Sequence, residues 1–191
     1  TRARTTANPR PHYLTDSRTY SWPDPWTHTG SSFSYYTAPV HNIFQWALIF
    51  EEDFEAGFGV FQDGGSDAAI TFNCHHDGKA ALRIRDDSGS SKAYTGDYDV
   101  STYSELRVHC FYYALGVESG ETFVLEYSSP GNSWSVAQEF IGGTDFNNNE
   151  WLEVVVEFDA SSFSDVSLQF RCDGSDNTDK IWIDTVRFEG K

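Results

Sequence analysis

Glu51, Asp53 and Glu55 stand at alternate positions in EEDFEAGFG, residues 51–59. In an extended chain all three project from one side of the backbone. That spacing suits three chemistries: a nucleophile and acid/base pair, for which two carboxyls about 5 Å apart are needed; a cation site; or a solvated strand face. Calcium takes six to eight oxygens from carboxylates, backbone carbonyls and water. Asp67, in the flexible GGSDA, and Asp184, in WIDTVRF, are further acids of the right type. His75-His76-Asp77 could supply metal ligands or a base, but neighbours on a strand point to opposite faces, and the run reads as a polar turn before Gly78. DGSDNTD, residues 173–179, lacks the spacing and closing Glu of a calcium-binding hand and reads as a surface turn. The chain has no G-x-S-x-G elbow, no phosphate-cradling loop and no zinc motif.

Cysteines and aromatics carry the remaining chemistry. Cys74, Cys110 and Cys172 all fall on inward phases of apolar runs, Cys74 after Ile70 and Phe72. Cys110 is mid-strand and reads as a small buried hydrophobe. Cys74 and Cys172 lie at strand ends beside turns and are the candidates for a disulfide in an oxidising compartment. Phe, Tyr and Trp make up 16% of the chain, more than a core alone needs. Sugar rings stack on exposed aromatic faces while polar side chains bind their hydroxyls. Trp134, in the turn-flanked SSPGNSW, is the first candidate for such a platform, and Tyr112, Tyr113 and Trp182 are candidates to line a sheet face. The amides of DFNNNEW, residues 145–151, suit hydroxyl recognition or simply a turn.

The 191 residues suffice for one well-buried domain plus an appendage. A net charge of −16 repels phosphate backbones and anionic membrane surfaces, so nucleic acid is excluded as a partner and cations or neutral ligands are favoured. FQWALIF, residues 44–50, is far too short to cross a bilayer. The chain starts Thr-Arg-Ala-Arg without an initiator Met or an apolar leader, which reads as a processed form or an excised piece.

The elements that must position these residues divide in two. Residues 1–43 hold five of the six prolines and the aromatic runs SWPDPW and SSFSYY without periodicity. They read as an irregular arm, too rich in aromatics for true disorder, that packs on the domain or on a neighbouring protein. Residues 44–191 read as an antiparallel β-sandwich or jelly roll of eight to ten strands. WLEVVVEF alternates Leu152, Val154, Val156 and Phe158 against Glu153 and Glu157. Val166, Leu168 and Phe170 alternate against Ser167, Gln169 and Arg171, and Leu106, Val108 and Cys110 against Arg107 and His109. In KIWIDTVRF, Ile181 and Ile183 share one phase while Val186 and Phe188 share the other. Such a switch needs a bulge near Asp184 and Thr185, and a sandwich pairing its first and last strands brings Asp184 towards residues 51–55.

FEAGFG, GGSDA and WIDTVRF together resemble extracellular jelly-roll modules that include MAM domains and calcium-containing carbohydrate-binding modules, over residues 50–190. The resemblance implies a cation held near the paired terminal strands by Glu55 and Asp184. Asp67 and Asp53 complete the expected ligand set. It also implies a secreted or cell-surface setting. The cysteine pattern of MAM domains is absent, which favours the glycan-binding branch. Glu51-x-Asp53-x-Glu55 is also similar to the E-x-D-x-E signature of jelly-roll β-glucanases, but Glu52 stands where that signature has an aliphatic residue, and the acids precede nearly all the sandwich. The expected function is therefore a non-catalytic, calcium-stabilised module for a polysaccharide or glycoprotein glycan. The alternatives are a MAM-like adhesion module, with a protein partner or self-association through the N-terminal arm, and then a glycoside hydrolase.

Overall fold

A computed structural model describes residues 45–85 and 91–191. The arm read over residues 1–43 lies outside them. The described chain is all-β: β1 Ala47–Glu52, β2 Phe61–Asp63, β3 Ala68–Thr71, β4 Ala81–Arg85, β5 Lys92–Thr95, β6 Tyr98–Asp99, β7 Glu105–Leu115, β8 Thr122–Ser128, β9 Ser135–Ile141, β10 Trp151–Asp159, β11 Asp165–Asp173 and β12 Lys180–Gly190. The first sheet has the order β10-β7-β12-β4-β3, with β1 also on β12, and the second has the order β2-β5-β11-β8-β9, with β6 also on β11. Every strand pair is antiparallel.

The alternation in the sequence sets which side chains fill the space between the sheets. Leu106, Val108 and Cys110 of β7 and Val166, Leu168 and Phe170 of β11 are all buried in one core. Phe123 stacks on Phe140 at 5.0 Å and on Phe170 at 5.9 Å, which joins β8, β9 and β11 across the second sheet.

The phase switch in the last strand is present. Asp184 pairs with Phe111 and Arg187 with His109, with a register shift between them, and Thr185 takes φ 51°. This bulge lets one strand serve two neighbours: Lys180–Ile183 pairs with β4, and Val186–Gly190 pairs with β1. The first and last strands therefore do lie side by side.

Candidate functional site

The acids of the opening motif do not share a strand face. β1 stops at Glu52, and the chain then turns. Glu51 is exposed and lies 3.8 Å from Arg187. Glu52 is buried, and its two carboxylate oxygens accept the N–H groups of Phe54 and Val60, each at 2.9 Å. Asp53 accepts the N–H of Glu55 at 3.1 Å and so shapes the turn rather than facing a ligand. Alternation fails here because Phe54, at φ 60° and fully buried, reverses the chain.

Glu55 and Asp184 do converge, on the loop of residues 72–80. Glu55 Oε1 accepts the N–H groups of Lys79 at 2.7 Å and Ala80 at 2.9 Å. Those two bonds to backbone amides hold its carboxyl below the usual range. Asp184, only 1% exposed, accepts from His76 at 2.7 Å and Asp77 at 3.1 Å through Oδ2, and from Thr185 at 2.8 Å through Oδ1. Five N–H groups thus compensate the two carboxylates. No group of three or more His, Cys, Asp or Glu side chains placed to hold a metal occurs among the described residues. The two acids alone are therefore not a carboxylate cage, and calcium here would draw its other oxygens from loop carbonyls and water.

Asp67 is not part of that pair. Its carbonyl accepts the N–H of Arg85 at the far end of β4 from Ala80, about 17 Å along the strand. There it is fully buried, with its carboxylate on Ser66, Ser91 and Arg85.

The aromatic and cysteine candidates are redistributed. Tyr112 is in the core, ringed by Phe123, Phe140 and Phe146, and does not line an outer face. It continues the alternation of Leu106, Val108 and Cys110, and burial drives its hydroxyl up to about 12. Tyr113 is on the outer face of the first sheet beside Trp182, whose ring is buried with its Nε1–H on Thr71 Oγ1 at 2.9 Å. Trp134 is half-buried just before β9. Phe72, expected inside, is 73% exposed because β3 ends at Thr71. No bond joins Cys74 to Cys172: Cys172 faces the core from β11, while Cys74 has a free thiol in the 72–80 loop, where burial and the charge of Asp184 raise it. The amides of DFNNNEW are largely committed, since Asn148 bonds both backbone groups of Val117.

A set of residues that alternation alone does not reveal lies on the outer face of the second sheet. Register aligns Gln62 with Tyr94, Tyr94 with Gln169, Gln169 with Glu126 and Glu126 with Val136. One row therefore crosses five strands, about 19 Å at normal strand spacing. Ser167, Gln169 and Arg171 point outward as expected, yet Gln169 is only 3% and Glu126 7% exposed. Gln169 Nε2 donates to Glu126 Oε2 at 2.5 Å, and Arg171 Nε lies 3.5 Å from the same oxygen. Burial alone would lower the Arg171 pKa, but Glu126 and Asp173 outweigh it and raise it. Gln169 Oε1 is buried and has no hydrogen-bond partner among the described residues. The face thus sets a tyrosine ring and a guanidinium side by side over a buried carboxylate and a buried amide. The sequence signal was present in the polar phase of β11 and in Glu126 between Leu125 and Tyr127. What it lacked was the neighbour of each strand.

No protein-family profile matches the sequence, and no curated protein matches it. Solved structures share the fold. One contains the CBM22-1 and GH10 modules of the endo-1,4-β-D-xylanase 10B of Clostridium thermocellum with xylohexaose, at TM-score 0.59 and 22% identity over 75% of this chain and 28% of that one. Another, from a study of the cleft of the C-terminal family 22 carbohydrate-binding module of the same enzyme, has TM-score 0.56 and 14% identity over 75% and 94% of the two chains. The K3 adhesin domain of Lys-gingipain from Porphyromonas gingivalis has TM-score 0.55 and 15% identity over 77% and 100%. These likenesses define the class by fold alone: an antiparallel jelly-roll sandwich, shared with carbohydrate-binding modules and an adhesin domain.

Proposed function

We propose that the chain is a non-catalytic carbohydrate-binding module whose ligand lies across the outer face of the second sheet. The observation that carries this reading is the row of Gln62, Tyr94, Gln169, Glu126 and Val136, in which polar groups and one aromatic ring share a continuous face. A neutral glycan needs an aromatic surface for its C–H face and fixed donors and acceptors for its hydroxyls. Tyr94 supplies the first; Arg171, held by the buried Glu126 and Gln169 beneath it, supplies donors for the second. The row is long enough for several linked sugars, so a polysaccharide or an extended glycoprotein glycan fits better than a single ring. The fold shared with carbohydrate-binding modules supports the reading; one of them belongs to a CBM22-1 and GH10 pair solved as a complex with xylohexaose.

The separation of Glu51, buried Glu52 and turn-forming Asp53 supports binding without cleavage. Calcium enters as an accessory on Glu55, whose Oε2 has no hydrogen bond among the described residues, with Asp184 organising the loop beside it. On the extracellular resemblance of the sequence motifs, we place the module outside the cell, secreted or at the cell surface, as a domain of residues 44–191 preceded by an arm.

Affinity electrophoresis through gels containing xylan or other neutral polysaccharides tests the proposal. Tyr94→Ala should reduce retention about tenfold while leaving the melting curve nearly unchanged, since the ring stands outside the core. Equal retention of Tyr94→Ala and wild type would remove the proposed face. Sustained release of reducing ends that vanished in Glu51→Gln or Glu55→Gln would establish a hydrolase. No retention across a broad glycan panel would give precedence to the adhesion reading. For calcium, a melting temperature unmoved by chelator would dismiss the ion.

A further inference from the structure

The opposite side of the sandwich, the outer face of the first sheet, carries a second and chemically different surface. Register aligns Trp151 with Tyr113, Tyr113 with Trp182, Trp182 with Arg83 and Arg83 with Ala69. The adjacent row aligns Leu115, Lys180 and Arg85. Arg83, Arg85 and Lys180 thus cluster beside three aromatic rings, in a chain of net charge −16.

The other arginines of the sheets are spoken for. Arg107 bonds Glu189, Arg187 lies beside Glu51 and Glu189, and Arg171 lies beside Glu126 and Asp173. Arg85 faces Asp67 at 3.8 Å. Arg83 differs in that no carboxylate pairs with it among the described residues; its Nε, like that of Arg187, is buried without a hydrogen-bond acceptor there. Burial, then the charge of Arg85, lowers its pKa, and the charge of Asp67 offsets this only in part. A partly desolvated guanidinium without an ion pair is an unfavourable arrangement, and an anionic ligand corrects it. Lys180, two positions before Trp182 on the same face, also has no ion pair among the described residues. Asp184, two positions after Trp182, is closed off by its three backbone donors. Asp86 and Asp87 follow Arg85 in sequence and lie outside the described residues.

The rings favour one soluble chain over a flat crystalline surface. Tyr113 lies 5.6 Å from Trp151 at 49° and 5.8 Å from Trp182 at 77°, so the faces are corrugated. Trp182 is a buried floor, and Tyr113 and Trp151 are half-exposed above it.

We propose that this face is a second glycan site, selective for an acidic sugar, with one ring against Tyr113 and Trp151 and its carboxylate or sulfate on Arg83 and Lys180. A guanidinium matches the paired oxygens of either group. The rest of the surface repels polyanions, so attraction is confined to this patch and is screened by salt. The site is independent of the neutral-glycan face across the core.

The test uses the full chain in affinity electrophoresis with polygalacturonate, dextran sulfate and neutral xylan, at low and high salt. Retention by either acidic polymer at low salt is expected, and the preferred polymer identifies the anionic group. Arg83→Gln and Lys180→Gln should each weaken acidic retention about tenfold while leaving neutral retention unchanged. Tyr94→Ala should do the reverse. If Arg83→Gln fails to fold, Lys180→Gln and Trp151→Ala carry the test. Absence of acidic retention at low salt, acidic retention unchanged in Lys180→Gln and Trp151→Ala, or its loss in Tyr94→Ala would each overturn the second site.

Discussion

Asp184 Oδ2 stands 2.7 Å from the backbone nitrogen of His76, a residue 108 positions earlier in the chain. The bulge in the closing strand aims this carboxylate, which fastens the loop preceding β4. Asp184→Ala leaves the N–H groups of His76, Asp77 and Thr185 without their acceptor, and should cost about 2–4 kcal/mol. Asp184→Asn should lose less, because it keeps one carbonyl oxygen. Urea unfolding checks this through a lower midpoint at unchanged slope.

Glu55 gives the same loop a pH dependence. Backbone bonds from Lys79 and Ala80 depress its pKa below the ordinary value of 4.5. A depressed carboxyl contributes stability that is fully present above the unfolded value and is lost as pH falls through the folded one. The Lys79 and Ala80 amide resonances should therefore hold steady at neutral pH and shift together in acid, with an apparent midpoint below 4.5. Glu55→Ala should abolish that titration. Persistence of the transition in the variant would assign it elsewhere.

Glu52 holds the turn after β1 from inside. Replacing it with Ala frees the N–H groups of Phe54 and Val60 in a buried turn and should cost about 2–4 kcal/mol. Gly59, at φ +55°, packs so closely on Glu52 that an added Cβ would overlap its carboxylate. Gly59→Ala should therefore destabilise through both strain and lost contacts. Thermal melts of the two variants and their combination should be clearly non-additive, since each disturbs the same carboxylate.

The thiols should react in a fixed order. Burial pushes Cys110 up to about 12, whereas Cys74 is only partly covered, its thiol raised by burial and by the charge of Asp184. A thiol reagent at neutral pH should modify Cys74 slowly and leave Cys110 protected until the protein unfolds, with labelling of Cys74 quickening as pH rises. Peptide mapping after a short pulse reads the order directly. Early modification of Cys110 would contradict the packing of β7.

Much of the architecture was legible because a strand's two faces follow from its own residues. The alternation in β7, β10 and β11 identified core and outer sides correctly, and the opposed phases of Ile183 and Val186 located the bulge before any partner strand was known. The same rule misled where the chain left the strand. Glu51, Asp53 and Glu55 look like one face only if the extended conformation continues, and the reversal at Phe54 is fixed by burial of its ring and by Glu52 beneath it. Tyr112 was misassigned for a different reason: it was grouped with Tyr113 and Trp182 as an aromatic to line a sheet face, although the period of its own strand placed it inside.

By itself, the sequence determined an acidic, all-β sandwich with a broken closing strand and inward positions of period two. These properties depend on side-chain order within single strands and on total charge. Only the tertiary structure decided which residues stand together. Gln62, Tyr94, Glu126, Val136 and Gln169 come from five strands scattered over more than a hundred residues, and nothing within any one strand specifies the register of its neighbours. The core packing of both sheets and the turns between strands set that register. The same long-range pairing placed Arg83 beside Trp182, brought Glu55 and Asp184 to one loop, and kept Asp67 a strand's length away.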